Sequence, residues 1–162
     1  MSGGFTHAEY EDYRGGPCWA DGDMMAGPNP REREEDGECF QDLSGERLHR
    51  SPEFNGAFGF GYGVPLWDWP VQLITGASVL FQDESFLNLD LDPVDFQDAY
   101  AQLDARIGIR SADERWSATI FGRNLTDEVV FLEAADVPLF EGDHFSRQEL
   151  PRTIAGEVRY RF

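Results

Sequence analysis

The chain has 162 residues, 13 of them basic and 31 acidic, for a formal net charge of −18; every basic side chain is Arg. This balance excludes a nucleic-acid-binding surface and a polybasic membrane-surface protein, both of which need clustered cations to meet phosphates. At 41% hydrophobic and 14% aromatic residues the chain is too apolar for disorder. No run of 18 apolar residues is present, so no transmembrane helix is expected. A membrane β-barrel stays compatible, because its strands show only every second residue to lipid.

Residues 1–7 contain neither the basic nor the apolar part of a signal peptide. Residues 1–46 hold Arg14, Arg31 and Arg33 against 12 acids, half of the net charge. Residues 10–46 read as a long loop rich in Gly, Pro, Asp and Glu, and loops of that length are usually functional. Both cysteines, Cys18 and Cys39, lie in it. They make a poor zinc site, having no His nearby and only two thiols where zinc takes four ligands. A disulfide closing the loop, in an oxidising compartment, is the stronger reading; two unpaired thiols are the alternative.

From residue 53 the pattern becomes strict alternation, which predicts a strand. Phe54, Gly56, Phe58, Phe60 and Tyr62 share one face, and Glu53, Asn55, Ala57, Gly59, Gly61 and Gly63 share the other. An aromatic turn bounded by Pro65 and Pro70 follows. Residues 71–81 form a second strand, with Val71, Leu73, Thr75, Ala77, Val79 and Phe81 on one face and Ile74 and Leu80 as exceptions on the other. Residues 82–98 read as a solvated acidic loop. Its Asp90, Asp92 and Asp95 resemble a calcium loop, but the EF-hand pattern fails for want of a Gly at the sixth position and with Ala101 where a bidentate Glu belongs.

The next strand alternates Ala101, Leu103, Ala105, Ile107 and Ile109 against Tyr100, Gln102, Asp104, Arg106, Gly108 and Arg110. After a short turn at 111–115, Trp116, Ala118, Ile120 and Gly122 alternate with Ser117, Thr119, Phe121 and Arg123. Residues 128–149 read as a third loop. The last strand sets Ile154, Gly156, Val158, Tyr160 and Phe162 against Thr153, Ala155, Glu157, Arg159 and Arg161.

The expected fold is therefore all-β, an antiparallel up-and-down meander of about six long strands. Long connections (10–46, 82–98, 128–149) alternate with short ones (64–70, 111–115), as in an outer-membrane barrel with long loops outside and tight periplasmic turns. Asp104, Arg106, Arg123, Glu157 and Arg159 fall on the polar side and would face the lumen. A soluble antiparallel β-sandwich acting as a binding module is the alternative, with the same residues as its wet face. The two differ in whether the apolar faces meet lipid or a shared core.

Single residues add little. His7, His49 and His144 are isolated in sequence and read as exposed. Ser44 and Ser51 belong to no nucleophile motif, and nothing assembles an acid, a base and a nucleophile, so no enzyme and no cofactor are expected. Asn124-Leu125-Thr126 reads as a turn motif rather than a glycosylation site. Trp67, Trp69 and Trp116 flank short turns and fit an interfacial aromatic belt.

Several phrases carry a family likeness. Asp42-Leu43-Ser44-Gly45 introduces a strand, and Ala105-Arg106-Ile107-Gly108-Ile109 precedes a short turn and Trp116. Gly122-Arg123-Asn124-Leu125-Thr126-Asp127-Glu128 ends the following strand, Pro151-Arg152-Thr153 opens the last one, and Tyr160-Arg161-Phe162 finishes it. Together they resemble the C-terminal barrel segment of TonB-dependent outer-membrane receptors, over essentially all of residues 1–162. The resemblance implies a place in the cell outer membrane and TonB-driven uptake of a scarce ligand such as a ferric siderophore. Implied partners are outer-membrane lipid, lipopolysaccharide and the barrel-assembly machinery, which would read Ile154, Val158, Tyr160 and Phe162 as its signal. Such receptors have 22 strands and an N-terminal plug that contacts TonB. The expectation is a fragment without plug or earlier strands, not functional alone.

Overall fold

The computed structural model describes residues 1–19, 29, 31–138, 140 and 142–162. Among them the chain forms thirteen strands and no helix. In order these are β1 (Ser2–Phe5), β2 (Gly16–Pro17), β3 (Glu32–Glu35), β4 (Glu38–Gln41), β5 (Phe54–Pro65), β6 (Val71–Gln82) and β7 (Ser85–Phe86). Then come β8 (Phe96–Gln97), β9 (Tyr100–Ser111), β10 (Trp116–Arg123), β11 (Phe131–Asp136), β12 (His144–Gln148) and β13 (Thr153–Tyr160). Six of them make one antiparallel sheet in the order β1-β5-β6-β9-β10-β13, which from β5 onward is an up-and-down meander.

The alternation seen in the sequence fixes the register. Because side chains alternate between faces, a slip of one residue would turn a whole strand over. Phe58 pairs with Val79, Val79 with Leu103, Ile107 with Ile120, and Ala118 with Val158. The apolar positions of all six strands thus fall on a single side. Ile74 and Leu80 sit on the other side, opposite Gly108 and Gln102. Strand ends differ slightly from expectation: β5 runs on to Pro65, and β13 stops at Tyr160.

Two tight turns close one end of the sheet. At 66–70 the Leu66 amide donates to the Val71 carbonyl at 3.0 Å, and Trp67 adopts a φ of 47°. At 112–115 the Ser111 hydroxyl accepts from the Trp116 amide at 3.1 Å. Trp67, Trp69, Trp116 and Tyr160 gather at this end.

The other end carries the long connections, and these are folded rather than open. Within the first, β3 and β4 form a hairpin whose Asp36 and Gly37 have φ of 55° and 81°, the left-handed pair a two-residue type I′ turn demands. β7 pairs with β8 in the second connection, and β11 with β12 in the third. The expectation of plain loops at 10–46, 82–98 and 128–149 is corrected accordingly. Local turn chemistry and side chains from distant loops build this structure, and periodicity over so few residues does not reveal it.

Among the described residues the buried apolar ones are Trp19, Leu43, Leu87, Leu91, Val130 and Ala134, all of them in those connections. No described element covers the apolar side of the sheet. Phe58, Phe60, Ile107, Ile120, Ile154 and Val158 are all exposed there, Val158 by 82%.

Candidate functional site

Two regions gather side chains with chemistry. The first is the polar side of the sheet. It forms a trough of about 840 Å³ lined by Asp104, Arg106, Arg110, Arg123, Glu157 and Arg159. Gly61 and Gly76 face each other across β5 and β6, and the Arg106 guanidinium lies over the space they leave. A Cβ built on Gly76 would stand 3.1 Å from Arg106 Nε. Arg110 donates to Gln72 Oε1 at 2.9 Å and pairs with Glu114 at 3.2 Å. Arg159 pairs with Glu157 at 3.1 Å, two residues away on its own strand. Asp104 Oδ1 accepts from the Asn124 amide at 2.9 Å, and Arg123 lies over the Phe121 ring. The trough therefore carries more cations than anions, unlike the chain as a whole.

The second region lies among the long connections. Gln41 is buried in the first of them; its Nε2 donates to the Asp90 carbonyl in the second, and its Oε1 accepts from Asn29 at 3.0 Å. The Phe131 amide at the start of the third donates to Gln97 Oε1 at 2.7 Å. Arg50 Nε donates to the Leu87 carbonyl at 3.0 Å. The three connections are thus welded into one cap. Cys18 and Cys39 are joined in a disulfide within it, 21 positions apart.

At the centre of the cap sit Asp90, Asp92, Asp95, Asp136 and His144. The sequence places the first three in a solvated loop, and the structure buries those three, while Asp136 and His144 are half-buried. The leucines interleaved with them drive this: Leu87 and Leu91 are themselves buried and carry their neighbours inward. Backbone amides partly compensate the acids, since Asp90 Oδ1 accepts from the Asp92 amide at 3.2 Å and Asp92 Oδ1 from the Val94 amide at 2.8 Å. Asn88 Nδ2 donates to Asp90 Oδ2 at 2.9 Å.

His144, read from the sequence as exposed, is also enclosed, with only 14% of its side chain accessible. Its Nδ1 is 3.1 Å from Asp95 Oδ1 and 3.3 Å from Asp136 Oδ1, and its Nε2 is 3.9 Å from Asp92 Oδ2. Burial pushes the Asp90 carboxyl up to about 7, with the charges of Asp136, Asp92 and Asp95 adding to it. Burial likewise raises Asp92 and Asp95, while His144 opposes the rise in both. Two buried oxygens, Asp92 Oδ2 and Asp136 Oδ1, have no hydrogen-bond partner.

Other sequence-selected residues stay peripheral. His7 pairs with Glu9 and Glu53 at the surface, and His49 contacts the Tyr10 hydroxyl at 3.3 Å. Ser44 caps the Tyr13 amide at 2.9 Å. Asn124 holds a turn, with a φ of 50° and its side chain bonded to both backbone groups of Glu128. Ile154, Val158, Tyr160 and Phe162 are exposed, and the Tyr160 and Phe162 rings meet edge to face at 5.1 Å. No family model matches the chain, and no curated protein or solved structure is detectably similar to it.

Proposed function

We propose that the six-stranded sheet is a stretch of the wall of a transmembrane β-barrel in the outer membrane, and that the parent molecule is a TonB-dependent receptor importing a scarce ligand such as a ferric siderophore. One observation carries this reading. The apolar residues of six strands lie in register on a side that nothing in the described chain covers, while the buried apolar residues lie in the connections. In water such a face would bind another surface or aggregate; against lipid it needs no cover.

Further features agree. The three 12-residue strands β5, β6 and β9 exceed the roughly 9–11 residues of a tilted span. Aromatic side chains collect at both ends of the sheet, Trp67, Trp69 and Trp116 at the turns and Phe5, Phe54 and Phe81 toward the cap, as interfacial belts do. The trough on the opposite side would be lumen. The outer edges of β1 and β13 have no strand partner among the described residues, and amides cannot stay unpaired in hydrocarbon. In this reading further strands of the receptor pair with both edges, and TonB acts through those other parts. The functional names rest on the sequence likeness around Gly122–Glu128 and Pro151–Thr153. A soluble sandwich would require a second sheet on the apolar side.

The test is chemical accessibility in outer-membrane vesicles carrying the chain. A Cys at Ile107 should be reached by membrane-permeant maleimide only, and a Cys at Thr119 by polar maleimide also. Equal labelling of both by the polar reagent would reject the membrane reading.

A further inference from the structure

The trough on the polar side of the sheet carries cations that the described chain does not pair. Four arginines line it against two acids, in a chain whose net charge is −18. Arg110 and Arg159 have acids of their own, Glu114 at 3.2 Å and Glu157 at 3.1 Å. Arg106 and Arg123 do not: the side chain of neither makes an ion pair or a hydrogen bond with any described residue. The Asp104 carboxylate, on the same wall, takes the Asn124 amide instead. Arg110 adds a buried Nε that has no hydrogen-bond partner.

The register of the sheet sets where the two unpaired cations stand. Gly61, Gly76, Arg106 and Phe121 lie opposite one another in one row across β5, β6, β9 and β10. The two glycines leave a bare floor, and the Arg106 side chain extends over it. A Cβ on Gly76 would stand 3.1 Å from Arg106 Nε, and one on Gly61 would stand 3.7 Å from Nη2. Arg123 lies on the other side of β9, its guanidinium carbon 5.8 Å from the centre of the Phe121 ring. One small oxyanion cannot meet both guanidinium groups in these positions. A molecule with two anionic groups, its carbon body lying across β9, can.

We propose that the trough binds a small organic polyanion, a molecule carrying two or more carboxylate or phosphate groups, with one group on Arg106 and another on Arg123. The guanidinium fork presents paired N–H donors that match either kind of oxyanion. Thr119 and Ser117 supply hydroxyls on the same wall, and the space of about 840 Å³ is that of a small-molecule site. A cleft lined by a surplus of one sign also concentrates ligands of the other, here against the charge of the whole chain. The polar side is open to solution in a barrel and in a sandwich alike, so this proposal and the membrane reading can fail separately.

The experiment is calorimetric titration, at low salt, of the full, disulfide-intact chain in a detergent that gives a β-sheet circular dichroism spectrum. Citrate and fructose bisphosphate are the multi-group probes, and acetate and inorganic phosphate are their single-group counterparts. One multi-group probe should bind per chain, at least tenfold more tightly than its counterpart, and the stronger of the two identifies the anionic group. Arg106→Gln and Arg123→Gln should each weaken it at least tenfold, the worth of a charge-assisted contact. Arg115→Gln, in the turn outside the trough and paired with Asp113, should leave it unchanged. Gly61→Glu keeps every arginine but sets a carboxylate beside Arg106, and should abolish binding even if an arginine variant misfolds. Absence of binding by both multi-group probes at about 10 mM would overturn the proposal. Equal affinity for single-group and multi-group anions, or equal losses in Arg106→Gln and Arg115→Gln, would overturn it too, leaving only diffuse attraction to a cationic wall.

Discussion

The sheet and the cap solve the folding problem in opposite ways. The sheet has long strands and a continuous backbone ladder, yet its apolar side chains stay open to the surroundings. The cap has short strands and an acidic, glycine-rich sequence, yet it contains the buried leucines, the disulfide and the enclosed carboxylates. Hydrophobic burial in water can therefore stabilise the cap directly, whereas it contributes little to the sheet until something apolar covers Phe58, Ile107 and Val158. The difference teaches that apolar content alone does not locate a core. What matters is whether a facing layer exists.

This contrast can be broken most sharply at Leu43. Its side chain is fully buried against Gly16, so Leu43→Ala should destabilise the cap by about 2–5 kcal/mol. Val158→Ala, on the open side of the sheet, should change stability in detergent by only about 0.5 kcal/mol. Hydrogen exchange of the cap amides, read against those of the sheet, checks both. Equal effects would mean that the apolar side is covered after all.

Ile107→Arg should cost about 2–4 kcal/mol in a bilayer, against about 0.5 kcal/mol for Gln102→Arg on the polar side of the same strand. Urea titration in lipid vesicles measures the pair, and in water-soluble conditions the gap should shrink. Replacing Cys18 and Cys39 together with Ser should loosen the cap by roughly 3 kcal/mol and leave the sheet unaltered. Faster proteolysis confined to residues 10–46 is the expected result.

The smallest effect separates two glycines within the sheet. A Cβ on Gly108 would stand 2.5 Å from the Ala118 carbonyl and 2.8 Å from the Thr119 Cα, so Gly108→Ala should cost about 1–3 kcal/mol as β9 and β10 move apart. At Gly61 the nearest atom would be 3.7 Å away, and Gly61→Ala should be close to neutral. Paired denaturation curves decide whether strand packing at that spot is as tight as the structure has it.

The sequence by itself determined five strands of the sheet, β5, β6, β9, β10 and β13; β1 at Ser2–Phe5 is too short and too glycine-rich to show alternation, and only its pairing with β5 reveals it. Period-two alternation from Phe54 to Tyr160 assigned each residue to a face, and the loop lengths ordered the strands, because both signals are local and repeat along the chain. Even the exceptions at Ile74 and Leu80 were legible, since a strand has only two faces to choose between. The cap was not. Asp95 and His144 are 49 positions apart, and no periodicity links a loop aspartate to the residue that opens the second strand of a distant hairpin. Acids at 90, 92 and 95 look solvated when read alone, because charge favours water unless partners are at hand. Leucines at 87 and 91 were the one local hint that the segment turns inward. Only the tertiary structure decided that those leucines find a pocket, that the acids follow them into it, and that Asp136 and His144 arrive from another connection to meet them.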